Sequence, residues 1–246
     1  MAQMRLDKLL SLQLKISRKQ AAALVRGGTV RAGERILRDP AEHMEPAEVT
    51  VSGRALRYQP FYYLLMNKPT GVLTAARDRR QPVVMDLVPK DLYRRGLQPV
   101  GRLDKDTSGL LLLTDDGALA HRLLSPQHHV WKTYQARLSC PPRSGAAERF
   151  AEGVVLPEFT CLPAELRLLE GGSCPLYEVR VREGKFHQVR RMFAAQGSTV
   201  TALCRTGFGP LVLPDELRPS DCRALTPAEE TALRQDKMDN LPKNDG

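Results

Sequence analysis

Asp104 lies between Arg102 and Lys105 in the run Gly101-Arg102-Leu103-Asp104-Lys105-Asp106-Thr107-Ser108-Gly109. Neighbouring positive charge lowers a carboxyl pKa, so a carboxylate in this setting is expected to stay ionised. Four leucines follow, Leu110 to Leu113, and then Thr114-Asp115-Asp116-Gly117. The leucine run is too short for an ordinary helix and stops at a turn signal, so it reads as a strand buried on both faces. Asp104 is therefore expected on a loop held by a rigid core strand. A charged, positioned carboxylate in a basic surround suits chemistry on a polyanion.

Other chemistries fit these residues poorly. Asp104, Asp106, Ser108, Gly109 and Asp115 imitate the spacing of a calcium loop. Such a loop ends in a bidentate glutamate and lies between helices, whereas here the last position is Asp and leucines fill the middle. An Asp-x-Asp phosphatase nucleophile needs a strand before the first Asp, and Gly101-Arg102 does not supply one. His128, His129 and His187 have no third ligand at a useful spacing, so no metal is expected. Trp131 falls on the strand face opposite Tyr134 and reads as packing.

The 246 residues leave room for one large domain or two unequal ones, and 42% hydrophobic residues suffice for a core. A formal charge of +9 points to an acidic partner, nucleic acid first, because Lys and Arg bind phosphates by releasing counterions. The five cysteines are far apart and form no C-x-x-C pair, which fits reduced thiols rather than a disulfide framework or a zinc site. Met1 to Lys19 lacks a continuous apolar core, and no stretch reaches the length of a membrane span. A soluble cytoplasmic protein is expected.

The elements that must position Asp104 fall into two groups. Residues 1–58 read as a small separate module. Leu6, Leu9 and Leu10 repeat at helical spacing, and Ser17 with Gln20 forms a capping box. The helix it opens stops at Gly27-Gly28. Thr29 to Ile36 reads as two short strands and a turn, and Val49-Thr50-Val51 as a third strand. Arg18 and Lys19 occupy the first helical turn, where free N–H groups attract phosphate, and Arg26 lies about 80° round the same helix from Arg18.

Gln59-Pro60 reads as a linker, and residues 61–232 as a strand-rich second domain. Phe61 to Met66 is expected as a buried strand before the turn Asn67-Lys68-Pro69-Thr70-Gly71. Asp115 or Asp116 is placed to cap a short helix ending before Ser125-Pro126. Val130, Lys132, Tyr134, Ala136 and Leu138 share one face of a strand, as do Tyr177, Val179 and Val181. Val189, Met192 and Phe193 make a helical stripe ending at Gly197. Thr226-Pro227-Ala228-Glu229 is a further capping box with Pro at the first helical position. Residues 233–246 are expected to form a polar, frayed tail.

These segments, in this order, resemble the bacterial ribosomal small-subunit pseudouridine synthase A family. Arg5-Leu6-Asp7-Lys8-Leu9, Ser17-Arg18 and Gly28 to Gly33 resemble its RNA-binding domain, of the type named after ribosomal small-subunit protein four. Asn67-Lys68-Pro69, Gly101 to Gly117, His128 to Tyr134 and Glu183 to Met192 resemble the motifs of its catalytic domain. The fold implied is α+β: a small S4-like α/β RNA-binding domain, then a catalytic domain with a mostly antiparallel sheet flanked by helices.

The resemblance implies isomerisation of a uridine in small-subunit (16S) ribosomal RNA, or in a small-subunit assembly intermediate, by a monomer needing no cofactor, metal or membrane. It maps the catalytic aspartate to Asp104, the active-site tyrosine to Tyr134, and the basic partner of the aspartate to Arg190. Arg102 is expected to fill the space left by the flipped nucleotide. Lys68, Lys132 and Arg191 within the motifs, and Arg5, Arg18, Lys19 and Arg26 in the first module, are expected RNA contacts. Asp104 would act as nucleophile or as base at C2′, and the sequence leaves both open. A sister enzyme for large-subunit (23S) rRNA and a non-catalytic ribosome-binding or assembly protein are the competing readings.

Overall fold

Local signals account for the N-terminal elements in the computed structural model, which describes residues 3–56 and 58–235. Helix α1 spans Leu6–Gln13 and α2 spans Arg18–Arg26. The Ser17 hydroxyl accepts from the Gln20 N–H at 3.2 Å, and the Gln20 side chain accepts from the Ser17 N–H at 2.9 Å. This closes the capping box expected at the start of α2 and satisfies N–H groups that a helix end otherwise leaves bare. Strands β1 (Val30–Ala32), β2 (Arg35–Ile36), β3 (Val49–Val51) and β4 (Arg54–Ala55) form an antiparallel sheet ordered β2-β1-β3-β4. Leu6, Leu9, Leu10, Ala21, Val25, Val30 and Val49 join the two helices and the sheet in one core.

This first unit runs to Tyr62 and takes in a later segment, Tyr93–Leu97. Nothing in the residue pattern of Tyr93–Leu97 announces that recruitment. The buried Arg94 guanidinium donates to the carbonyls of Gln59 at 3.0 Å and Pro60 at 3.2 Å, so the expected linker is held by hydrogen bonds.

The second unit is built on one large sheet. Its main strands are β5 (Tyr63–Lys68), β6 (Thr107–Thr114), β7 (Lys132–Leu138), β8 (Glu165–Glu170), β9 (Leu176–Val181), β10 (Val200–Phe208) and β11 (Cys222–Ala224). They lie in the order β8-β9-β7-β10-β6-β5-β11. Every neighbouring pair is antiparallel except β6 and β10, which run parallel with Leu203 opposite Thr107 and Arg205 opposite Gly109. Helices α3 (Gly117–Leu124), α4 (Ala146–Glu152), α5 (Gln188–Ala195) and α6 (Pro227–Gln235) accompany the sheet.

The leucine run lies in β6, and all four leucines are fully buried, as are Leu64, Leu65 and Met66 of β5. Each such side chain contributes about 2 kcal/mol of transfer free energy, so the strand that leads out of the Asp104 loop is among the stiffest parts of the unit. Strand β5 begins and ends two residues later than the sequence suggested. Phe61 stays half-exposed, while Lys68 is drawn inside by carbonyl groups described below. Asp116 caps α3 by accepting from the Leu119 N–H at 3.0 Å. Residues 233–235, expected in the tail, continue α6, because Leu233 is fully buried in the core; residues 236–246 of that tail lie outside the described residues. No described helix is long and apolar enough to cross a membrane.

Candidate active site

Strand β6 begins at Thr107, so Asp104 sits three residues before a buried strand, on the loop the sequence placed there. Four main-chain contacts hold it. The Asp104 carbonyl accepts from the Thr107 N–H at 3.1 Å, closing a tight turn. The Thr74 hydroxyl donates to the Leu103 carbonyl at 2.7 Å and accepts from the Leu103 N–H at 3.2 Å. The Gly71 N–H donates to the Lys105 carbonyl at 2.7 Å. Lys68 supplies the fourth. Its ammonium donates to the carbonyls of Asp104 at 3.1 Å, Thr107 at 2.9 Å and Pro69 at 3.0 Å.

Lys68 therefore cannot be the RNA contact the sequence reading made it. The side chain is fully buried. Burial pushes its pKa down to about 8, against the opposing fields of Asp104 and Asp106. A lysine is rarely buried unless paired, and here three carbonyl dipoles take the place of a counter-ion.

The Asp104 carboxylate itself stays accessible, with 37% of its side chain exposed. Among the described residues, the basic group within ion-pair reach is His187, whose Nε2 lies 3.8 Å from Asp104 Oδ2. Lys105 points away and donates to Gln81 at 2.8 Å. The pairing of Arg190 with Asp104 implied by the resemblance is not formed. Arg190 pairs with Asp106 at 2.9 Å and donates to the carbonyls of Asp106 at 3.2 Å and Val200 at 3.0 Å. The turn at Asp104–Thr107 presents the Asp106 carboxylate to α5, and Arg190 fastens the loop to that helix.

Asp104 faces a cleft made of two adjoining lobes of about 460 Å³ each. One lobe holds Asp104, His187 and Arg190; the other holds Lys132, Arg205 and Phe208; Tyr134 and Arg102 line both. Tyr134 lies on β7 with Arg205 as its neighbour across the sheet. Arg102 is exposed at the cleft, free of the sheet's packing. The Glu183–Lys185 turn closes one side, fixed by the buried Gln188, which donates to Glu183 at 2.8 Å and accepts from the Lys185 N–H at 3.0 Å.

Two cations lie on the floor beside Tyr134. The Lys132 ammonium donates to the Val130 carbonyl at 2.8 Å. Burial, helped by the charge of Arg205, pushes its pKa down to about 8. Arg205 is a functional candidate the sequence reading missed. It is 2% exposed, donates through Nε to the Leu110 carbonyl at 2.8 Å, and packs 5.1 Å from the Phe208 ring centre. Gly109 makes this approach possible: a Cβ there would lie 2.2 Å from the Arg205 carbonyl oxygen, and its φ is +105°. A lone arginine inside the apolar strand Val200–Phe208 was the available signal.

The remaining basic residues are dispersed. Arg191 turns to Glu158 and to the Phe159 ring at 5.5 Å and does not line the cleft, because a short hairpin (Val155–Leu156 with Phe159–Thr160) offers it both partners. Trp131 packs beneath Arg180 and Arg182 at 4.7 and 4.2 Å. In the first unit Arg5 pairs with Asp7 at 2.8 Å, while Lys19 and Arg26 are exposed on α2. Arg18 lines a shallow depression with Lys8, Ser11 and Arg95.

The chain is similar to known proteins over nearly its whole length. The family described as RNA pseudouridylate synthase matches residues 62–195, and the S4 domain matches residues 4–49. The chain is 42% identical over 237 residues to "Uncharacterized RNA pseudouridine synthase YtzG" of Bacillus subtilis (strain 168), covering 94% of this chain and 99% of that one. It is 39% identical over 231 residues to "Ribosomal small subunit pseudouridine synthase A" of Escherichia coli (strain K12), covering 92% and 98%. A solved structure titled "Crystal structure of pseudouridylate synthase" superposes with a TM-score of 0.63 at 32% identity, covering 94% of this chain and 99% of the other. With its N-terminal S4 domain and its sheet-borne cleft, this chain belongs to the RNA pseudouridylate synthase family.

Proposed function

We propose that this enzyme converts a uridine of small-subunit ribosomal RNA to pseudouridine, with Asp104 as the catalytic carboxylate. The observation that carries the reading is an accessible carboxylate on a loop pinned through its main chain, opening on a cleft lined by Tyr134 and Arg102. The small-subunit target is supported by the relatives of that name, about 38–39% identical over nearly the whole chain.

The residues fit the bond changes. The N1–C1′ bond breaks, uracil turns, and a C5–C1′ bond forms; C5 loses a proton and N1 gains one. Nothing is oxidised or lost, so the reaction as written demands neither cofactor nor metal. One ionised carboxylate at the sugar, as nucleophile or as base at C2′, is required, and Asp104 supplies it. Tyr134 stacks on the uracil. Arg102 enters the helix space the uridine vacates, since a base must leave its stack to be modified. Arg190 holds the loop through Asp106. Lys132 and Arg205 give the floor its positive field.

Residues 1–58 act as the RNA-capturing module through Arg5, Arg18, Lys19 and Arg26, and residues 61–232 as the catalytic domain. One chain carries every group the reaction needs, so a cytoplasmic monomer suffices. Pseudouridine mapping of ribosomal RNA from a deletion strain tests the assignment. Loss of one small-subunit site is expected; loss of a large-subunit site with the small subunit intact would overturn it.

A further inference from the structure

We propose that Phe186 is a stacking platform for an unpaired base beside the target uridine, with His187 as its support. The inference rests on the RNA-modifying reading above. Phe186 is 75% exposed, well beyond Tyr93 at 45% or Phe61 at 39%. Single exposed apolar side chains are common and by themselves mean little. This one differs in being held. Its ring lies on the His187 imidazole with centroids 3.9 Å apart and planes 15° apart. One face is covered and the other is open to water.

The backbone holds the ring as firmly. The Lys185 N–H donates to the Gln188 side chain at 3.0 Å, and the Gln188 N–H to the Lys185 carbonyl at 3.1 Å. Phe186 and His187 form the tip between these two bonds. His187 has φ of +49°, a left-handed conformation that bends the chain as α5 begins. A ring fixed in this way loses little freedom when a ligand covers it.

Its place in the unit indicates the ligand. Phe186 and His187 line the Asp104 lobe of the cleft and also a second, shallower depression with Thr70, Gly71 and Lys105. Asp104 and Arg102 border both. The two depressions adjoin, so an RNA strand that places its uridine against Tyr134 in the first has room for the neighbouring nucleotide in the second. Exposed Lys105, whose ammonium donates to Gln81 at 2.8 Å, borders that depression and supplies positive charge for the phosphates there. A flat aromatic face accepts any base, which suits a contact that secures the strand without reading its sequence. His187 joins the two functions, because the imidazole behind Phe186 is also the group 3.8 Å from the Asp104 carboxylate.

The test compares Phe186→Ala, Phe186→Leu and Phe186→Tyr in the full-length protein. Turnover is read as tritium released from an unmodified small-subunit rRNA transcript labelled at uridine C5. Stacking is read separately, as quenching of 2-aminopurine in a single-stranded oligoribonucleotide. Phe186→Ala and Phe186→Leu are expected to raise KM about tenfold or more with kcat changed less than about threefold, and to abolish the quenching. Phe186→Tyr is expected to restore both. A leucine variant equal to wild type would show apolar bulk to be sufficient and would overturn the inference, as would unchanged quenching in Phe186→Ala. If the wild type releases no tritium yet quenches through Phe186, the stacking stands and the isomerase reading fails.

Discussion

The ammonium of Lys68 lies 3.1 Å from the main-chain carbonyl of Asp104 and not against its carboxylate. The buried cation thus fixes where the Asp104 loop runs and leaves the carboxylate accessible. Lys68→Met would free three carbonyls at once. Turnover is expected to fall at least tenfold, with RNA affinity within about twofold of wild type, because binding is spread over many basic contacts. The pKa also sets a sign. Burial lowers it to about 8 from its ordinary 10.5, so between those values the unfolded chain binds more protons and wild-type stability gains with rising pH. Urea unfolding from pH 8 to 10.5 should show that gain in the wild type and less of it in Lys68→Met.

Arg190 and Asp106 should behave as a unit. Their bond fastens the Asp104 loop to α5. Asp106→Asn and Arg190→Lys are each expected to lower turnover, and the double variant to lose less than the product of the single losses. A double-mutant cycle on kcat measures this, with a coupling of about 0.5–3 kcal/mol expected for residues in contact. Strict additivity would place Arg190's action elsewhere.

Lys132 should give activity an alkaline limit. Its ammonium is charged below about pH 8 and neutral above, owing first to burial and then to Arg205. If the cation assists the substrate, kcat/KM falls above that pH. Lys132→Arg, which does not deprotonate in this range, should lessen the alkaline fall to the part that Lys68 contributes, and Lys132→Met should be low throughout. Identical alkaline limbs in wild type and Lys132→Arg would assign the limb to another group.

Gly109→Ala should damage the sheet rather than the chemistry. The added Cβ meets backbone at 2.2 Å, and backbone cannot swing aside as a flexible side chain can. Overpacking typically costs about 1–3 kcal/mol, and the φ of +105° adds to it. A thermal melt should show a clear drop in Tm, whereas Gly33→Ala, with open space around it, should lose less.

Much of this was legible in local chemistry. The run Leu110–Leu113 reads as a strand because both of its faces are buried. Ser17 with Gln20 and Thr226 with Glu229 announce helix starts because their side chains bond back to the adjacent N–H groups. What escaped was long-range or directional. The parallel pairing of β6 with β10 joins Gly109 to Arg205, far apart in sequence, so the need for that glycine was hidden, and the lone arginine of the Val200–Phe208 strand gave no sign of its partner. Asp104 and Asp106 look equivalent as partners for Arg190 until the turn at Thr107 fixes their directions. Lys68 carries the charge of a surface residue, and only three carbonyls meeting at one point bring it inside.

The central claim rests on the carboxylate of Asp104. Asp104→Asn keeps the side chain's size and the main-chain bonds to Lys68 and Thr107 while removing the charge. Tritium release from C5-labelled small-subunit rRNA, measured beside RNA binding, is the most direct test. Release at background with near-normal binding is the expected result. Turnover within tenfold of wild type would contradict the account.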